Sequence, residues 1–213
     1  MDMATAARFY LRGDLGYSFN NAPGMTESGY DLIDTSMANT WSYGGGIGWY
    51  LTPNWRTDLT IDYRTDASLR GTLDVASAPF GGGDREFNVN STIVLANVYY
   101  DFADRAEFNP YIGAGIGFAN NSAHDGIATD ACGCTAEIEG ADHTNFAWAL
   151  MAGFTHELDR GWSLDAGYRF LSYGSAATGN ILNKHGHAYE NTDPETDNLY
   201  ASELRLGLRF DIY

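Results

Sequence analysis

Eleven charged side chains occupy positions that alternate with apolar ones: Arg12, Asp14, Arg56, Asp58, Asp62, Arg64, Asp165, Arg169, Glu203, Arg205 and Arg209. Gathered in one interior, they could line a pore or a proton path. They could equally interleave as ion pairs that fill the space, because buried ions are tolerated only when paired. Cys132-Gly133-Cys134 offers a second chemistry. The pair could form an intraloop disulfide in an oxidising exterior, although so small a ring is strained. With His124, His143 and nearby acids it could also hold a metal, but the spacing is unlike the usual zinc patterns. His185-Gly186-His187 is a third candidate. On a strand, residues i and i+2 share a face and could grip a metal or a haem iron. With no further ligand beside them, a solvated polar loop is the simpler reading. His156 and Glu157 are adjacent, so an extended backbone sends them to opposite faces, and no serine–histidine pairing accompanies them. The sequence therefore predicts no enzyme and no cofactor.

The elements that must position the eleven charges are strands. Leu204, Leu206, Leu208, Phe210 and Ile212 alternate with Glu203, Arg205, Gly207, Arg209 and Asp211. A helix would scatter these charges around its circumference, whereas a strand has one oily and one ionic face. Eight such segments can be marked, at residues 8–19, 40–51, 55–65, 90–102, 110–119, 145–158, 162–173 and 199–212. The fourth has the least clear register, because outward Val94, Ala96 and Val98 leave Ile93 and Leu95 pointing inward. Glycines 44, 46 and 48 and glycines 113, 115 and 117 fall on inner faces and would leave room for arginine side chains from other strands.

The connections alternate in length. Short ones cover residues 52–54, 103–109 and 159–161, and long ones 20–39, 66–89, 120–144 and 174–198. Short turns on one side and long loops on the other are the pattern of an outer-membrane barrel, which crosses with strands of about 9–11 residues. Closure removes the sheet edges that lipid does not tolerate. Eight strands enclose a space that side chains mostly fill, which favours ion pairing over an open pore. Trp41, Trp49, Trp55, Tyr63, Tyr100, Tyr111, Trp162 and Tyr173 sit at strand ends, where interfacial aromatic girdles belong. The start, Met1-Asp2-Met3, lacks the basic and apolar stretches of a secretory signal and suggests a trimmed start. The long loops carry −13 of the net charge of −16, and the chain has one lysine, Lys184. Such a surface argues against nucleic acid, which is met by basic side chains. Divalent cations that bridge lipopolysaccharide phosphates would suit the acids, but no loop has the spacing of a calcium-binding loop.

Several of these segments resemble one family. Phe9-Tyr10-Leu11-Arg12-Gly13-Asp14-Leu15-Gly16-Tyr17 is similar to the first strand of small outer-membrane surface antigens of alphaproteobacteria. These are porin-family barrels related to the OmpA transmembrane domain and the opacity proteins. Gly44–Trp49, Asp58–Arg64, Leu95–Asp101, Pro110–Gly117, Ala147–Gly153, Asp165–Phe170 and Glu203–Phe210 carry the same resemblance, which spans the eight strands and none of the loops. It implies fold strongly and function weakly, and it adds haemin to the ligands considered for His185 and His187. One departure is visible. Strands of this kind usually end on an outward aromatic, whereas here the outward series ends at Ile212 and Tyr213 is out of step. Either Tyr213 serves as the assembly signal through a local kink, or Phe210 does.

The expectation is a single domain over 1–213: an all-β, eight-stranded antiparallel transmembrane barrel with four long extracellular loops and three short periplasmic turns. Its role would be structural or loop-presenting, in membrane integrity, adhesion or antigen display. A narrow pore for ions or small solutes is the alternative. Partners would be outer-membrane lipid and lipopolysaccharide, with host or surface partners met through the loops, and the barrel would be a monomer. A third reading, a soluble lipocalin-like barrel, would turn the apolar face inward.

Overall fold

The computed structural model describes residues 9–74, 82–102, 108–131, 133–158, 160–182 and 193–212. Its strands in chain order are β1 (Phe9–Asn20), β2 (Met25–Glu27), β3 (Tyr30–Met37), β4 (Thr40–Tyr50), β5 (Trp55–Leu73), β6 (Gly83–Asp101) and β7 (Phe108–Ala123). They continue with β8 (Gly126–Asp130), β9 (Thr135–Ile138), β10 (Ala141–Glu157), β11 (Trp162–Ser172), β12 (Ile181–Leu182), β13 (Glu195–Thr196) and β14 (Tyr200–Ile212). Eight of them close an antiparallel barrel in the order β1, β4, β5, β6, β7, β10, β11, β14 and back to β1. These are the eight segments expected from alternation.

The alternation has the physical sense of a membrane barrel. Leu206 is 57% exposed on the outside, and its neighbour Arg205 reaches Asp62 across the interior. Outward Leu11, Tyr43, Ile61, Ile116, Leu150 and Phe154 extend the same belt. Burying an apolar side chain is the usual gain of folding, so a belt turned outward around buried arginines suits only an apolar solvent. The lipocalin reading is thereby overturned. Rings at strand ends interlock across neighbouring strands, as in Trp55–Tyr100 and Trp162–Phe210. The hairpin between β10 and β11 closes tightly. Leu158 N donates to Trp162 O at 2.7 Å, with Arg160 and Gly161 both at positive φ, a conformation that glycine adopts without strain.

The long connections differ from the expected loops. β5 and β6 each run for 19 residues, where a tilted crossing takes roughly 9–11. Their outer halves stand clear of the apolar belt, and the remaining long segments pair onto them. β8 pairs with β6 and β9 with β8, β12 pairs with β9, β13 with β2, β2 with β3, and β3 with β5. Between β12 and β13 the circuit is joined by the Ala177–Glu195 bridge and by Thr178 N donating to Pro194 O at 3.0 Å. The barrel wall therefore continues as a second closed ring, a crown above the belt. Short breaks separate the two levels. In β5 the break is a bulge between Arg64 and Ala67 that switches the inward positions from even to odd numbers.

Candidate functional site

The interior of the belt level is built from the inward positions of all eight barrel strands, because β-strands alternate their faces. Arg12 donates to Asp14 through Nε at 2.8 Å and Nη2 at 2.6 Å, and through Nη1 to Asp58 at 2.8 Å. Asp58 also accepts from the Tyr10 hydroxyl at 3.0 Å and from Asn97 Nδ2 at 2.7 Å. Nearer the short turns, Arg56 pairs with Asp101 at 3.0 Å and lies over the rings of Tyr99 and Tyr111 at 4.1 and 4.9 Å. Arg209 faces Asp165 at 3.6 Å and lies over Tyr10 at 5.3 Å, while Thr155 donates to Asp165 at 2.5 Å.

Nearer the crown, Glu203 is the hub. It accepts from Arg169 Nε at 2.6 Å, from Ser18 at 2.7 Å and from Arg64. Arg169 also donates to Asp62 at 2.6 Å, and Arg205 grips Asp62 with both terminal nitrogens, at 2.9 and 3.1 Å. Arg205 reaches Asp14 at 3.4 Å, which joins the two groups into one network.

All eleven charged residues singled out in the sequence thus meet inside the barrel. The sequence reasoning left Asp101 out of the network, although its parity with Asn97 placed it on the inner face. With Asp101 included, six arginines face six carboxylates, and a further inward carboxylate, Asp211, accepts from the Tyr50 hydroxyl at 2.9 Å near the short-turn end. Also missed were the inward tyrosines 10 and 99, whose rings carry guanidinium groups, while Tyr111 and Tyr173, expected in the interfacial girdle, instead turn inward and are buried under Arg56 and Arg64. The glycines need a correction. A Cβ at Gly48 would strike the Tyr10 ring, at Gly44 the Asp62 carboxylate and at Gly115 the Asn97 amide. The room they leave is taken by tyrosine, aspartate and asparagine, because these side chains lie directly across from them on adjoining strands.

A cavity of about 20 Å³ opens within the network, lined by Arg12, Asp14, Asn97, Asp165, Arg169 and Arg205, among others. It has room for about one water molecule. Among the described residues, Arg205 Nε and Asn97 Oδ1 of this lining are buried without a protein hydrogen-bond partner, as are Arg56 Nη1 and Nη2 and Arg209 Nε elsewhere in the network.

A different interior lies above. Leu69, Leu73, Phe87, Val89, Ile93, Leu95, Leu171, Tyr173 and Leu199 pack with Met25 and Leu32 of the crown into one apolar cluster. Ile93 and Leu95 do point inward, as the fourth segment's alternation required, because the inside is greasy at their level. Deeper in the crown, Arg85 and Glu27 form a buried pair, with bonds of 2.6 and 3.0 Å, that fastens β2 to β6.

The loop candidates have less geometry. Cys134 is exposed beside Gly133, while Cys132 lies outside the described residues. His185, His187 and Tyr213 lie outside them as well. His124 Nε2 sits 3.5 Å from Asp66 and 2.6 Å from Asn90 Nδ2. Among the described residues no group of three or more His, Cys, Asp or Glu side chains is arranged to hold a metal. His156 stacks on Phe108 at 4.8 Å near the short-turn end.

Comparison with known proteins places this geometry. The model of the outer membrane protein beta-barrel domain matches residues 1–210. An uncharacterized protein of Brucella abortus (strain 2308) is 31% identical, over 96% of this chain and 85% of that protein. A Rickettsia bellii (strain OSU 85-389) protein named "Putative adhesin" is 28% identical, over 96% of this chain and 88% of that protein. Among solved structures, the outer membrane protein OprG from Pseudomonas aeruginosa superposes with a TM-score of 0.58 at 12% identity, covering 97% of each chain.

Proposed function

Since the chain belongs to the outer membrane protein beta-barrel domain family and resides in the bacterial outer membrane, we propose that it is a closed-lumen scaffold that displays an acidic crown at the cell surface. The crown carries the reading. Its wall is strand-built and ring-closed, so what it presents is held rigidly rather than on loose loops. Its exposed charges among the described residues are carboxylates, apart from Arg70, which is itself paired with Glu86 at 2.6 Å.

Such a surface suits a basic partner on a host or neighbouring cell and repels polyanions, nucleic acid included. A relative named as an adhesin supports the same direction. The belt would contact lipid and lipopolysaccharide as a monomer. The ion-paired interior performs no catalysis in this reading, and the loop histidines and cysteines carry no cofactor.

Two measurements test the proposal. Cells displaying the protein should adhere to host-cell layers, and should lose adherence when β8–β9 is replaced by a short turn while the barrel remains folded. Purified protein in a planar bilayer should show no large steady conductance. Undiminished adherence of the trimmed protein would refute display, and a steady conductance would favour the narrow-pore alternative.

A further inference from the structure

The interior has two levels of opposite chemistry, and only one of them is suited to stop ions. The lower level is mainly polar, with Met151 and the Tyr99 and Tyr111 rings among its lining. It contains the cavity, and two polar atoms of the cavity's lining residues, Arg205 Nε and Asn97 Oδ1, are buried without a protein hydrogen-bond partner. Buried polar atoms of this kind are ordinarily satisfied by water.

The upper level is largely apolar and draws on six of the eight barrel strands, while β1 and β4 contribute buried Ser18, Thr40 and Ser42. Leu69 comes from β5, Ile93 and Leu95 from β6, Ala119 from β7, Ala147 and Ala149 from β10, Leu171 from β11 and Ala201 from β14, with Met25 and Leu32 from β2 and β3 above them. Tyr173 covers the boundary, its ring 4.6 Å from the Arg64 guanidinium and its hydroxyl 3.8 Å from Met37 Sδ. Hydrophobic constrictions block permeation by excluding water.

We propose that the seal of this barrel is the apolar tier around Ile93, Leu95, Leu171 and Ala149, and that the ionic network beneath it is a hydrated chamber rather than the plug. The inference rests on the closed-lumen reading and adds where closure lies. The ionic network instead holds the strands in register, and its rearrangement leaves the pore shut.

The test uses the full chain in liposomes and planar bilayers. An Ile93→Ala/Leu95→Ala/Leu171→Ala variant should conduct, whereas Asp62→Asn/Arg205→Gln should stay silent. Folding of each is checked by heat-modifiable gel mobility. Two single-cysteine proteins, in a Cys132→Ser/Cys134→Ser background, keep the test independent of either variant. Thr60→Cys, on the chamber wall, should react with methyl methanethiosulfonate roughly tenfold or more faster than Ala149→Cys, since labelling follows access. Equal labelling, or conduction by the ionic variant with silence from the apolar one, overturns the inference. Steady conduction by the unmodified protein overturns the closed-lumen reading itself.

Discussion

Glu203→Gln removes one negative charge from the hub of the interior without changing its shape. The carboxylate is 0% exposed, accepts hydrogen bonds from two guanidinium groups, Arg169 at 2.6 Å and Arg64, and lies 3.9 Å from a third, Arg205. The balance of six arginines and six carboxylates around it would be left with one excess positive charge at a hub that is itself buried. Breaking a buried pair from one side costs about 3–5 kcal/mol, because the abandoned charge stays desolvated. Asp62 still holds Arg169 from its other side, and the Tyr173 ring still faces Arg64, so the lower end of that range is expected. The assay is reversible urea unfolding in lipid vesicles, read by heat-modifiable mobility. The midpoint should fall with an unchanged slope. The double variant Arg64→Gln/Glu203→Gln removes both members of one pair. It should recover about 1 kcal/mol or more relative to the sum of the single changes, as contacting residues couple by roughly 0.5–3 kcal/mol. A Glu203→Gln midpoint matching the unmodified protein, or strict additivity in the double variant, would refute the reasoning that these ions are buried and mutually dependent.

Further outcomes follow from the same geometry. Leu206→Arg places a charge on the lipid-facing belt and should cost about 2–4 kcal/mol in vesicle unfolding if that position lies near the bilayer midplane. Gly48→Leu drives a side chain into the Tyr10 ring and should lower stability by about 1–3 kcal/mol or slow assembly into vesicles. Glu27→Gln strips the buried partner from Arg85, which ties β2 to β6. Protease cleavage within the crown should then accelerate while the unfolding midpoint of the belt stays put.

The eight crossings were legible because lipid outside and ions inside impose a strict period of two. β14 shows this in its simplest form, with Leu204 to Ile212 facing out and Glu203 to Asp211 facing in. The crown was not legible, for a physical reason. Between Arg64 and Ala67 a bulge reverses which positions face inward, so a single parity loses the strand at Thr65 although it runs to Leu73. The same interruption at residues 124–125 and 139–140 hides β8 and β9 inside what read as loop. Ile93 and Leu95 were correctly placed yet looked anomalous, since the rule that barrel interiors are polar fails where the interior is packed with leucine, isoleucine and phenylalanine. The charged positions of the network could be read from alternation. The partner of each arginine could not, because register between strands, such as Asp62 of β5 meeting Arg205 of β14, is not written in either strand alone.

The most direct measurement of the central claim is a single spin label walked from residue 203 to 210 in the cysteine-free protein, reconstituted in bilayers. Collision rates with oxygen and with a water-soluble nickel chelate are recorded at each site. High oxygen exposure is expected at 204, 206, 208 and 210 and low oxygen exposure at 203, 205, 207 and 209, a period of two. Lipid exposure at the odd positions, or nickel contact at the even ones, would contradict it.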